Sequence, residues 1–205
     1  LFPCSISRSV GKQFEILSLI LMRNSFKELV HFQEPIDLAG NLEPLYHIVS
    51  DGVGALLIFV TLVVYTRVVQ APTPPLLKGG TDRYRFVAAK KAIALVLLVL
   101  FAAIGLHNGW LMFSGREPYM FFDTFYTVLI FSDVLVVLIS QRFLPTYHGI
   151  FRNSGYALST LLMRLALAAP PYQAPAIGVG AAIFALCVAL AYNAYVKALA
   201  KEPKS

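Results

Sequence analysis

The sequence predicts an all-α fold: a polytopic transmembrane helical bundle of about five spans, with its N-terminus outside and its C-terminus cytoplasmic. Three observations lead there. Of 205 residues, 58% are hydrophobic and 14% charged, whereas a soluble globular domain carries roughly 45–50% apolar and about 25% charged residues. The mean hydropathy is +0.69, and long stretches contain no charge at all. The formal charge of +6, from 17 Lys and Arg against 11 Asp and Glu, gathers in particular loops. It therefore reads as a topology signal, and no nucleic-acid partner is expected.

A spanning helix needs about 20 mainly apolar residues, because each adds 1.5 Å to cross a hydrocarbon layer of about 30 Å. The first span runs from about Leu45 to Val69, with an uninterrupted apolar core from Val53 to Tyr65. The second runs from about Phe86 to Phe113 around AIALVLLVLFAAIGL. The third, from about Tyr119 to Ile139, is apolar but carries Asp123 and Asp133, and the fourth, from about Ser154 to Ala169, is short and carries Arg164. The fifth, from about Pro175 to Val196, is rich in small residues. Its Gly178 and Ala182 have the spacing that lets helices approach closely.

The connections agree. QAPTPPLLKGGTD between the first two spans cannot continue a helix. Pro118 and Pro145 bound the third span, while Pro170, Pro171 and Pro175 make a tight turn between the last two. The chain thus divides into an N-terminal preface (1–44), a first transmembrane helix (45–69), a Pro/Gly-rich cytoplasmic loop (70–83), a four-helix membrane domain (84–200) and a basic tail (201–205).

Short cytoplasmic loops retain Lys and Arg. Arg67, Lys78, Arg83, Arg85, Lys90 and Lys91 cluster around the first loop, and Arg142, Arg152, Lys197, Lys201 and Lys204 fall in the third loop and the tail. The other side offers Arg116 beside Glu117, and Glu34, Asp37 and Glu43 precede the first span. Within the preface, QFEILSLILM (13–22) is too short an apolar run to span. Met22 opens MRNSFKELV in the manner of a bacterial start, so residues 1–21 read either as translated upstream sequence or as part of the native protein.

A charge at the bilayer centre costs at least about 2.5–3.5 kcal/mol, so each needs a partner, water or a function. Counted from Gln141, Asp133 lies about 12 Å and Asp123 about 27 Å from the cytoplasmic end of the third span; Arg164 rises about 18 Å from Arg152. Asp133 and Arg164 read either as an interhelical ion pair or, with Asp123, as a proton or ion relay. Lys90 and Lys91 compete as partners but can snorkel to the interface. A second set collects at the outer face, where His47 and Asp51 share one helical face and His107 lies at similar height. Imidazole with carboxylate there reads as a solvated cap, or as a metal or proton site.

No cofactor is expected. No histidine pair sits deep on adjacent spans as haem would need, and Cys4 and Cys187 form no CxxC motif. Interfacial aromatics such as Tyr46, Trp110, Tyr147 and Tyr195 fit an anchoring belt. The sequence contains no Walker loop, nucleophile elbow or HExxH helix, so no enzyme is expected.

Residues 84–200 resemble the phosphate-starvation-inducible PsiE family of small bacterial inner-membrane proteins. The resemblance rests on two acidic residues ten positions apart (Asp123, Asp133), on the loop LPTYHGIFR, on Thr160, Arg164 and Leu165 closing a polar helical face, and on a last helix rich in Ala and Leu. This chain has Asp where that family carries Glu, and one helix more. The resemblance implies a bacterial cytoplasmic membrane and a link to phosphate limitation, in a non-enzymatic protein or an accessory membrane subunit. The other reading is a small ion, proton-coupled or solute transporter using Asp133 and Arg164. The partners expected are the lipid bilayer and a homo-oligomer or larger membrane complex.

Overall fold

A computed structural model of the chain describes residues 6–31, 42–70, 80–114, 124, 127–132, 134–135, 138–139 and 147–201. Among them the only regular structure is helical. In order these are α1 (Ile6–Lys27), a 3₁₀ turn (Glu28–His31), α2 (Glu43–Gln70), α3 (Gly80–Phe113), α4 (Tyr147–Ala168) and α5 (Gln173–Lys201), with helical pieces between residues 124 and 139. Three helices are long and apolar enough to cross a membrane: Glu43–Gln70, Lys91–Phe113 and Gln173–Leu199. They coincide with the first, second and fifth expected spans.

The remaining two spans stand differently. About half of the third falls outside the described residues, Asp123 and Asp133 included, and the rest is helical. The fourth is present as α4, a continuous helix that starts at Tyr147 instead of near Ser154 and carries Arg152 and Arg164. The apolar run 13–22 is no isolated stretch either, because it lies inside α1, which continues through Met22 to Lys27.

The chain divides into two compact units, residues 75–153 and residues 4–74 with 154–205. In the first unit, the most apolar stretch of α3 has none of its residues buried among the described residues. Leu98, Leu106, Met112 and Phe113 stand fully out. A helix apolar on every side is one that belongs in hydrocarbon.

The second unit has a true core. On α1, Val10, Phe14, Leu17 and Leu21 repeat at helical spacing and are buried, while Arg8, Lys12 and Arg23 stay outside. Against them α2 turns Ala55, Ile58, Leu62 and Tyr65, leaving Val53, Leu56, Leu57, Val60 and Val64 exposed on its outer face. From α4 come Tyr156, Met163 and Ala166, and from α5 Ala181, Ala182, Ala185, Val188 and Ala189.

Small residues set how closely these helices pack. A Cβ on Gly178 would lie 3.1 Å from Ile58 Cδ1 and 3.3 Å from Leu17 Cδ2, and one on Gly155 would lie 2.8 Å from Val188 Cγ2. The face of α5 bearing Gly178 and Ala182 is thus packed within the chain. Hydroxyls and an amide complete the packing: Ser159 Oγ donates to the Ala181 carbonyl at 3.1 Å, Tyr65 Oη to Ser7 at 2.7 Å, and Asn193 Nδ2 to Val68 at 2.9 Å. Such bonds satisfy polar atoms where no water competes.

Candidate functional site

Chemically versatile side chains of the second unit gather where α2 begins. His47 and Asp51 follow one another by a single helical turn, so both project from the same face of α2. Asp51 is 9% exposed and makes no hydrogen bond among the described residues. His47 and Glu28, from the 3₁₀ turn after α1, are the titratable groups that act on its carboxylate. Glu43, one turn earlier and largely exposed, brings Oε1 to 3.9 Å from His47 Nε2, beyond hydrogen-bond reach. Ser25 closes the inner side of this region, its Oγ shared between the carbonyls of Leu21 and Ile48 at 3.3 Å each.

The α4–α5 turn completes the site. The Pro170 carbonyl accepts the Gln173 N–H at 3.2 Å and the Ala174 N–H at 3.1 Å. Between them Tyr172 takes φ 68°, a left-handed conformation that costs a non-glycine residue about 1–3 kcal/mol. That backbone delivers the phenol ring onto His47, with centroids 4.2 Å apart and planes inclined by 25°.

The structure therefore brings His47 and Asp51 together, as their spacing implied, and adds Glu28 and Tyr172, which the sequence did not single out. Three consecutive residues, Pro170, Pro171 and Tyr172, were the available signal, since so short a turn forces one residue out of the common backbone regions. The usual marker, a glycine, is absent. His107 belongs to the other unit, where its ring lies 6.5 Å from that of Trp110. Asp123 and Asp133 lie outside the described residues, and Arg164 is half-buried on α4 beside Met163.

Chemically, one imidazole and neighbouring carboxylates at the end of a long apolar helix can hold and exchange protons. Among the described residues no three His, Cys, Asp or Glu side chains gather as a metal ion would require. Compared with known proteins, the chain matches no family model, no curated protein and no solved structure.

Proposed function

We propose that this chain is a multi-pass integral protein of a bacterial cytoplasmic membrane, acting without enzymatic chemistry as an accessory or envelope-adapting subunit of the PsiE type. The observation that carries the membrane reading is α3. A stretch of that length, whose most apolar window has no residue buried among the described residues, fits a hydrocarbon surround.

In this reading residues 45–196 cross five times, with the loop after α2 and the C-terminal tail on the cytoplasmic side, where Lys and Arg collect. The expected pairing of Asp133 with Arg164 is kept as part of this reading, Asp133 lying outside the described residues. The resemblance of residues 84–200 to the PsiE family supports the cellular setting and the link to phosphate limitation.

Two measurements test it. After expression in bacteria, the protein stays with the membrane pellet through alkaline carbonate extraction. Under phosphate limitation, a deletion strain and the wild type then show equal uptake of ions and metabolites. A specific uptake defect in the deletion strain, reproduced by Asp133→Asn at unchanged protein level, would replace the accessory role with transport.

A further inference from the structure

We infer that α1 is itself a membrane-crossing helix, antiparallel to α2, so that the chain segments before α1 and before α2 lie on opposite faces of the bilayer. This rests on the membrane reading of α2. It replaces the expectation, drawn from charge alone, that the N-terminus lies outside together with Glu34, Asp37 and Glu43.

Two hydrogen bonds fix the register at the two ends. At one, Tyr65 Oη near the end of α2 donates to the Ser7 carbonyl at the start of α1. At the other, Ser25 Oγ near the end of α1 donates to the Ile48 carbonyl near the start of α2. From Ser7 to Ser25 is about 27 Å along α1, and from Ile48 to Tyr65 about 26 Å along α2. Both lengths approach the hydrocarbon thickness of about 30 Å.

Contact is continuous between these ends. A Cβ on Gly11 would lie 3.4 Å from Tyr65 Cε1, the side chains of Val10, Phe14, Leu17 and Leu21 join the same core as Ile58 and Leu62, and Gly52 faces Ser25. A helix lying flat at the interface would meet a crossing helix over one or two turns, not along its whole length. If α2 crosses, α1 crosses with it.

The charges of α1 are arranged for this. Lys12 Nζ meets both oxygens of Glu15, at 2.8 and 2.7 Å, and the pair presents no net charge. Intramembrane charges persist when paired in this way. Arg8 lies close to one end, Arg23 and Lys27 to the other, within reach of the headgroups. Ile16, Leu19 and Phe26 are exposed between and beside them. Hydropathy misses the crossing because Arg8, Lys12, Glu15 and Arg23, with the Ser, Gln and Asn residues among them, interrupt the apolar sequence of α1.

The test uses the full chain and a membrane-impermeant maleimide on intact bacteria, before and after permeabilisation. Cys187→Ala leaves Cys4 as the probe ahead of α1. Cys4→Ser, Cys187→Ala and Leu42→Cys together place one thiol ahead of α2. The expected result is labelling of Leu42→Cys in intact cells and at least a tenfold rise in Cys4 labelling on permeabilisation; the mirror-image result also puts the two ends on opposite faces and supports the crossing. Labelling of both probes from the same face overturns it while leaving the membrane reading intact. Release of the protein by alkaline carbonate overturns the membrane reading and the crossing with it.

Discussion

The ring of Tyr172 lies stacked on that of His47, 4.2 Å between centroids, and Tyr172 occupies a left-handed backbone conformation to reach it. Contact and strain oppose each other at one residue. Stacking contributes about 0.5–1.5 kcal/mol beyond simple burial. Tyr172→Ala loses the contact and keeps the strain, whereas Tyr172→Gly loses the contact and relieves the backbone by about 1–2 kcal/mol. The glycine variant is therefore expected to be the more stable of the two in thermal unfolding in detergent, and the reverse order would refute the strain.

Gly155 faces Val188 with no room for a methyl group. Gly155→Ala should destabilise the bundle by about 1–3 kcal/mol through overpacking. Adding Val188→Ala should recover most of that loss, because the clash is with the valine methyls. Unfolding of the two single variants and the double variant measures the coupling, and simple additivity would refute it.

Tyr65 and Ser159 each donate a buried hydroxyl to another helix's carbonyl. Tyr65→Phe and Ser159→Ala are expected to cost about 0.6 kcal/mol each, with an upper end near 1.7 kcal/mol for interhelical bonds in membrane proteins. Only Tyr65→Phe should also expose the start of α1, read as faster proteolysis near Arg8.

Asp51 is buried without a hydrogen bond among the described residues. Asp51→Asn keeps the shape and removes an ill-solvated charge, so thermal stability should hold or rise. A loss of more than about 1 kcal/mol would mean that the carboxylate has an essential partner.

The legible parts of this fold are those governed by a single strong preference. α2, α3 and α5 announce themselves because more than a span's length of apolar residues has no other economical environment, and they emerge as Glu43–Gln70, Gly80–Phe113 and Gln173–Lys201 where about 45–69, 86–113 and 175–196 were expected. α1 stayed hidden because its apolar run is short and set among Arg8, Lys12, Glu15 and Arg23. Only the partner helix reveals that Val10, Phe14, Leu17 and Leu21 are one buried stripe. His47 and Asp51 could be paired from spacing within one helix. Tyr172 and Glu28 reach them across more than a hundred residues and across a turn respectively, which no local pattern encodes.

The bare surface of α3 has a further consequence for how this chain can change. In the membrane reading proposed above its side chains answer to lipid, which asks only that they be greasy, so Leu, Ile, Val and Phe are interchangeable over most of its length. Gly54, against Pro175, and Gly155, against Val188, have no such latitude. Random mutagenesis should therefore leave α3 a blur of tolerated apolar letters and pick out these glycines, in α2 and α4, as fixed points.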